Sequence, residues 1–487
     1  MLKCFRYSIC MLSFFFWAAG MTLADYNLLL ICVLGIWLHN MLYAMENVKS
    51  RLVFLIFHCT FFVFLLSRPT ISLYRGYNWQ YSPSQSNFAL GSMGVSLIMM
   101  GVGTWFWENY SFNHEKPLKK KKSHSEYMES LRIVSLILYI CCIAAYFYSQ
   151  MDKVIFMLGK DYLAYYTDYV SELPYLVYLL ASYMPCALAI YLMTLPPKRQ
   201  TFWILSSFLL SEIPVLVFGK RGQLMLNALY ILVYYLLRDF MEDKEKWIGK
   251  FEKIILGISV PSIILLLGIV NYTRSGNEVS LSFGALVEDF FYKQGVSFNV
   301  LNIGFAAIPL LPQHKINLYS FGTIVDYITH GTLAQKFFGT SALGTGNNLV
   351  KALEGHTFSH NMSYVTRGQD YLDGKGWGSS YLLESYADFG YIGIIVCSFL
   401  FGVLFVALMN VIKRQTFGST IALVCLINLF FTPRAGTTEF LDILLKPRFW
   451  VPVLLCYIGA GLLARTYTYR SLQSFNRIHS QKGERNV

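Results

Sequence analysis

The sequence carries little charge. Only 14% of its 487 residues are Asp, Glu, Lys or Arg, whereas soluble domains carry about 25%. Apolar residues make up 55% of the chain and fall in blocks of about twenty, the length that spans a bilayer core of ~30 Å. This balance excludes an ordinary soluble domain. It predicts an all-α, polytopic membrane protein, because a single-chain span must satisfy its own backbone hydrogen bonds.

Motifs for metals, disulfides and nucleic acids are also missing. The ten cysteines lie in or beside apolar blocks, and no CxxC pair occurs, which argues against zinc and against a disulfide framework. No DxD pair lies in a predicted outer loop, and no His, Cys and Glu cluster has metal-ligand spacing. The net charge is +12, but no basic stretch is interleaved with exposed aromatics. We therefore predict no metal, no other cofactor and no nucleic-acid partner.

Twelve apolar blocks are predicted to be membrane-spanning helices of a single membrane domain, 1–487. They cover about 7–23, 27–45, 52–67, 88–107, 131–150, 173–194, 201–218, 223–237, 254–271, 387–411, 417–432 and 449–464. The first block follows Lys3 and Arg6 and looks like a signal peptide. The spans after it favour a first transmembrane helix over a cleaved signal.

The lysines and arginines predict the orientation. With the amino terminus inside, the inner segments hold 24 of the 40 Lys and Arg residues, as the positive-inside rule requires. The "KPLKKKK" run from Lys116 is then an orientation signal, with binding to anionic lipids as the alternative. Both termini, including the tail at 466–487, are predicted to be cytoplasmic. Residues 272–386 form a long outer loop whose apolar middle lies along the interface or caps the helices.

Several cations are predicted to face outward, where the positive-inside rule does not place them. They are Lys220, Arg221, Arg274, Lys293, Arg367, Arg434 and Arg448. Convergent arginines suit a diphosphate, because each guanidinium offers two parallel hydrogen bonds. For any one arginine, the alternative is that its side chain reaches lipid headgroups. Aromatic residues in the outer loops, such as Trp79 and Trp377, either stack on sugar rings or belong to the interfacial belt.

Four motifs together resemble the Wzy-type O-antigen and capsule polymerases. They are "GKRGQ" at an outer hairpin, "YTRSG" opening the long loop, "YKQGVSFNV" within it and "GWGSSYLLESYADFGYIGI" closing it. The resemblance runs from about Gln200 to Arg448 with motifs, and elsewhere by hydropathy. It implies an enzyme of the bacterial cytoplasmic (inner) membrane that works on the outer face. It also implies the helical fold shared by O-antigen ligases and the RodA proteins.

The resemblance further implies the reaction. Donor and acceptor are oligosaccharide repeat units on undecaprenyl diphosphate, and the enzyme is a metal-independent, inverting glycosyltransferase. Membrane lipids and a regulator of chain length are implied as partners. Such chemistry needs cations at the leaving diphosphate and a general base for the acceptor hydroxyl.

Roles for individual residues follow from that chemistry. At the diphosphate we expect Arg221 and Arg274 first, then Arg434 and Arg367, with Lys220, Arg448 and Lys293 as further cations. As the general base we expect His360, with Glu384 second and His356 third. For His360 the alternative is a loop histidine bonded to the backbone.

Two other functions use some of the same features. An O-antigen ligase takes the same donor but transfers to a lipid A-core acceptor. A flippase or transporter typically shows internal repeats and polar helices at mid-membrane depth. The chain shows no repeat between its halves, and its ionisable residues cluster on the outer side. The exception is Glu212, which pairs with an outer arginine or marks a proton path. The polymerase is therefore the preferred interpretation.

Overall fold

The computed structural model describes residues 2–114, 122–160, 164–214, 216, 222–241, 245–258, 261–262, 282–314 and 317–483. This part of the chain is helical and contains no strand. The labelled helices are α1 (Leu2–Leu23), α2 (Tyr26–Glu46), α3 (Val48–Phe61), α4 (Ser67–Tyr74), α5 (Pro83–His114), α6 (Lys122–Met157), α7 (Ala164–Thr167), α8 (Tyr175–Met193), α9 (Lys198–Leu210), α10 (Gly222–Phe240), α11 (Phe283–Gln294), α12 (Ser297–Ala307), α13 (Gly322–His330), α14 (Thr332–Phe338), α15 (Leu349–Leu353), α16 (Phe358–Arg367), α17 (Gln369–Leu372), α18 (Tyr381–Ile412), α19 (Phe417–Leu429) and α20 (Pro447–Gly483).

Eight helices in the described residues are long and apolar enough to cross a membrane. They are Lys3–Leu23, Tyr26–Glu46, Val48–Tyr74, Pro83–Ser111, Glu126–Met157, Tyr175–Met193, Tyr381–Ile412 and Pro447–Thr466. The third of these passes from α3 to α4 through a π-helical segment, Phe62–Leu66. The protein is thus an all-helical, polytopic membrane protein, as its composition predicts.

The other four predicted spans correspond to shorter or partly described segments. Helices α9 and α19 have 13 residues each, fewer than the ~20 that a straight span needs. Helix α10 has 19 residues and ends with Arg238 in its last turn. The predicted span at 254–271 falls largely outside the described residues. The count of twelve therefore stays a prediction.

Helices α5 and α18 pack with their backbones in close contact. A Cβ on Gly103 would lie 2.2 Å from the carbonyl oxygen of Phe399, and a Cβ on Gly402 would lie 2.2 Å from that of Met100. Only glycine permits such an approach, and small residues commonly mediate helix packing in membranes. The Thr104 hydroxyl also donates to the Gly402 carbonyl at 3.1 Å. The start of α18 is therefore carried on a tightly packed helix pair.

Buried polar contacts tie further helices to this pair. The Asn40 side chain on α2 lies 3.1 Å from His58 Nε2 on α3 and donates to the Leu97 carbonyl on α5 at 2.7 Å. Ser96 on α5 lies 2.7 Å from Ser398 on α18 through their hydroxyls. Since an unpaired polar group is costly inside a membrane, these contacts specify which helices become neighbours.

Charged residues join four helices at one end of the bundle. Arg51 on α3 pairs with Glu108 on α5 at 2.7 Å, and its guanidinium lies 3.6 Å from the centre of the Tyr43 ring on α2. Arg6 on α1 lies 3.4 Å from Glu46 on α2. The positive charges here are thus matched by carboxylates of neighbouring helices.

The long loop is folded onto the start of α18. The carboxylate of Asp388 accepts hydrogen bonds from the backbone N–H groups of Tyr319 and Ser320, both at 2.7 Å. Just beyond, α18 is kinked at Gly390, whose φ is 59°. The carboxylate and the kink together set how the loop meets the helix.

One loop helix exposes large apolar side chains. In α14, Leu333, Phe337 and Phe338 are 72%, 71% and 82% exposed. Such a face suits a helix that lies in the membrane interface. It supports the expectation that part of the loop is interfacial.

We predict that Gly103→Leu lowers the thermal stability of the purified protein. The added side chain meets backbone rather than a movable side chain, and overpacking costs about 1–3 kcal/mol even in adaptable cores. Fluorescence-detected size-exclusion chromatography after heating measures the effect. Gly461→Leu is the control, because no atom lies within 4 Å of a Cβ at Gly461. Equal melting temperatures for the two variants would contradict the close packing of α5 on α18.

Candidate active site

Helix α16 carries two of the predicted site residues on one face. Its N-cap is Thr357, and it ends at Gly368, whose φ of 55° is a conformation that favours glycine. His360 and Arg367 are seven positions apart. They therefore project from the same side, about 10 Å apart along the axis.

The side chain of His360 is oriented by Tyr371, which α17 brings back onto α16. His360 Nδ1 lies 2.9 Å from the Tyr371 hydroxyl, and that hydroxyl lies 3.4 Å from the carbonyl oxygen of Asn348. When Tyr371 donates its one proton to that carbonyl, it accepts from Nδ1–H of His360. This assignment of the tautomer leaves the lone pair on Nε2, the atom that can take a proton from a substrate.

The imidazole of His360 is neutral at physiological pH. Burial, and to a smaller extent the cation of Lys351, lower its pKa from 6.5 to about 4, while Asp326 acts in the opposite direction. Lys351 is held in place by the carbonyl oxygen of Gly346 at 2.9 Å. A neutral imidazole with an open lone pair is the form that a general base requires.

Arg367 stacks on the glycine-rich turn that precedes α18. Its guanidinium lies 3.9 Å from the centre of the Trp377 ring. The Trp377 backbone N–H in turn donates to the Ser363 hydroxyl at 2.8 Å, which fixes the turn to α16. The Nε atom of Arg367 is buried and has no hydrogen-bond partner among the described residues. None of these residues therefore uses its N–H donor.

Arg434 approaches the same turn from the other side. A Cβ on Gly378 would lie 3.4 Å from the Arg434 carbonyl oxygen. The guanidinium donates to the side-chain oxygen of Gln294, at the end of α11, at 3.2 Å. It also lies about 6 Å from the ring of Phe431. Two of the predicted arginines thus contact the turn at 377–378, Arg367 through its guanidinium and Arg434 through its backbone carbonyl.

Glu384 fastens the segment that carries Arg434 to α18. It is 3% exposed, and its carboxylate accepts from the Ser379 hydroxyl and from the Thr437 backbone N–H, both at 2.7 Å. A carboxylate oxygen of Glu439 lies near that of Glu384, beside Gly436. Oxygens of both carboxylates come within 3.0 Å of the position that a Cβ on Gly436 would take. Burial raises the pKa of Glu439. These bonds give Glu384 a positioning function in this arrangement.

His356 is engaged in a separate cluster. Asp326 accepts from the His356 backbone N–H at 2.6 Å, lies 3.0 Å from its Nδ1 atom, and accepts from the Thr357 hydroxyl at 2.8 Å. Burial would raise the pKa of Asp326, but these hydrogen bonds lower it below its usual value. The His356 ring packs 4.7 Å from that of His314. Among the described residues, no three His, Cys, Asp or Glu side chains are placed to hold a metal ion.

The remaining predicted cations lie elsewhere or outside the described residues. Lys293 pairs with Asp289 one turn earlier on α11, at 2.9 Å. Arg448 approaches Asp442 at 3.5 Å, and its side chain lines a cavity between the membrane helices. Lys220, Arg221 and Arg274 fall outside the described residues, so their roles stay predictions.

Three residues of the site could not be predicted from any pattern in the sequence. Tyr371 orients His360, Lys351 lowers its pKa, and Gln294 binds Arg434. Each acts across a fold-dependent contact, and only Gly368 hints at the chain reversal that brings Tyr371 back.

We predict that Lys351→Met raises the pKa of His360 from about 4 towards its ordinary value, because a neighbouring cation disfavours the imidazolium. Hydrogen–deuterium exchange at the imidazole C2 position, followed by mass spectrometry of the peptide, measures this pKa. Lys336→Met is the control, since Lys336 is an exposed lysine of α14. An unchanged His360 in the Lys351→Met variant would show that Lys351 does not act on it.

One family model matches a range of residues that includes both the membrane helices and this site. The model of the family described as O-antigen polysaccharide polymerase Wzy matches residues 4–466 of the chain. No curated protein and no solved structure matches it. The match begins in α1 and ends in α20, so the residues of the site lie within it. The chain therefore belongs to the Wzy family of O-antigen polysaccharide polymerases, which are glycosyltransferases, and it crosses the membrane several times.

Proposed function

We propose that this polymerase joins repeat units carried on undecaprenyl diphosphate, on the outer face of the inner membrane, without a metal ion. The observation that carries the proposal is the pairing of a neutral, oriented imidazole at His360 with the arginines at the turn 377–378. A base and a pair of fixed cations are the two groups that transfer of a sugar from a diphosphate requires.

The reaction is a single displacement. The hydroxyl oxygen of one lipid-linked unit attacks the anomeric carbon of the growing chain, and the bond from that carbon to the diphosphate oxygen breaks. The hydroxyl proton passes to His360 Nε2, and the bonding electron pair leaves with undecaprenyl diphosphate. Attack from the side opposite the leaving group inverts the anomeric centre.

Arginine side chains stabilise the charge that builds on the diphosphate. Arg367 and Arg434 are held by stacking, by Gln294 and by the turn, so they need little reorganisation as the charge develops. The cations outside the described residues, Arg221 and Arg274 together with Lys220, complete the set. Lys293 stays a predicted member of this set, whereas Arg448 lines a separate cavity.

A pKa of about 4 makes His360 a weak base in the empty site. The diphosphate changes this, because a nearby anion favours the imidazolium and raises the pKa. The negative charge grows as the bond to the leaving group breaks. His360 therefore becomes a stronger base during the step in which it must take the proton.

The proposal also includes the orientation of the chain in the membrane. Both termini are cytoplasmic, residues 272–386 face outward, and a chain-length regulator acts as a partner. Repeat units are delivered to this outer side already attached to their lipid carrier.

The test is complementation of a deletion strain, with surface polysaccharide resolved on a gel. The deletion strain shows single repeat units capped onto lipid or core, and wild type restores the ladder. His360→Ala restores no ladder. Arg434→Lys restores little, because a lysine keeps the charge but loses the two-pronged geometry. Arg75→Lys is the control. Arg75 forms an exposed ion pair with Glu288, and the Arg75→Lys variant should restore the full ladder.

Two other outcomes would overturn the proposal. Long polymer stranded on its lipid carrier in the deletion strain would identify a ligase. Loss of all surface sugar, with units trapped inside the cell, would identify a transporter.

A second prediction concerns pH. The value of kcat/KM reports the free enzyme, so in a purified system it should fall only as pH approaches the His360 pKa of about 4. Below that value the imidazole is protonated and cannot act as a base. Lys351→Met should move this acidic limb to higher pH, whereas Lys336→Met should not. An acidic limb that does not respond to Lys351→Met would argue against His360 as the base.

A further inference from the structure

A polar cavity lies between several of the membrane helices. Its volume is about 340 Å³, and its walls come from α6, α8, α9, α10, α19 and the segment 439–448. This size is within the range of small-molecule sites, about 300–1,000 Å³. It is too polar for a hydrocarbon chain, because carboxylate, amide and basic side chains line much of it.

The walls offer both acceptors and donors. The carboxylates of Glu212, Glu439 and Asp442 line the cavity, together with the side chains of Gln150 and Gln223. Rings and aliphatic groups, including those of Phe208 and Met184, form the apolar part of the wall. Hydroxyl-binding groups beside an apolar surface match a sugar, which has hydroxyls around its rim and C–H groups on its faces.

Two polar atoms beside the cavity lack partners. Asp442 contacts Lys446 and Arg448 through Oδ2, while its Oδ1 atom is buried and has no hydrogen-bond partner among the described residues. The Nε atom of Arg448 is buried and unpartnered in the same sense. An unsatisfied buried polar group is destabilising. Asp442 and Arg448 both line the cavity, so its wall carries an acceptor group and a donor group of the same cluster.

The cavity adjoins the candidate active site. Glu439 lines it and also lies near Glu384, beside Gly436. Arg434 is two residues before Gly436 in the same segment. Gln223, on the opposite wall, is two residues after Arg221. A group bound here is therefore close in the chain to the arginines proposed for the diphosphate.

We propose that this cavity binds a sugar residue of the repeat unit, with Asp442 accepting from one hydroxyl and Arg448 donating to another. The proposal rests on the proposed function, since it specifies where the glycan part of that substrate lies. A diphosphate is a poorer fit, because the three carboxylates of the wall outnumber its two cations, Lys153 and Arg448. A sugar hydroxyl, in contrast, gains a charge-assisted hydrogen bond from each carboxylate it reaches.

The test measures binding directly, so it does not depend on turnover. The probe is the oligosaccharide released by mild acid from repeat units that accumulate in the deletion strain, labelled at its reducing end. Equilibrium dialysis against the full-length protein in nanodiscs gives its Kd. We expect Asp442→Asn to raise this Kd about 10-fold or more, since hydrogen bonds to charged groups are the strong ones. Gln223→Leu, which removes an amide from the opposite wall, should raise it as well.

The control is Asp373→Asn, which neutralises an exposed acid of the outer loop and should leave the Kd unchanged. Elution volume and melting temperature confirm that each variant is folded. Equal binding by wild type and both cavity variants would overturn the proposal. So would tighter binding of inorganic diphosphate to Asp442→Asn with unchanged binding of the oligosaccharide, which would identify an anion site. A wild type that binds the oligosaccharide but makes no polymer would sink the proposed function while leaving the sugar site standing.

Discussion

The candidate site depends on one buried carboxylate. Glu384 accepts hydrogen bonds from Ser379 and Thr437, and these two bonds join the turn before α18 to the segment that carries Arg434. Glu384 therefore holds these parts of the site at a fixed separation, and its role as a general base stays a prediction.

The hydrogen bonds of Glu384 can fix these parts because α18 itself is tightly packed against α5. The glycines at 103 and 402 let α5 and α18 approach until backbone meets backbone, and hydroxyls such as those of Ser96 and Ser398 link the same pair. Arg367 belongs to the loop, yet Ser363 bonds its helix to the turn at Trp377. Positions on rigid elements are held more accurately than positions on free loops. A loop that is fastened to α18 at Asp388, Ser379 and Trp377 gains that accuracy.

Helices were predictable from the sequence, but much of the site was not. Long apolar runs predict the eight spans, because length and hydropathy are local properties. The shortness of α9 and α19 is not a local property, since α19 is largely buried among other helices, whereas α9 exposes Trp203 and Leu210. His360, Arg367 and Arg434 were predicted from residue type and outer position. Their partners Tyr371 and Gln294 were not, because each contact needs the chain reversal at Gly368 or the docking of α11, which no local pattern records.

The cations near α16, Lys351 and Arg367, suggest why an imidazole serves better here than a carboxylate. A carboxylate beside several arginines has a lowered pKa, and it would be attracted to them in competition with the diphosphate. A neutral imidazole does neither, and burial together with the nearby cation of Lys351 keeps it neutral. In the proposed mechanism the charge of the diphosphate opposes that of Lys351, and the affinity of His360 for a proton rises. Burial and Lys351 thus keep the proposed base unprotonated until the substrate is bound.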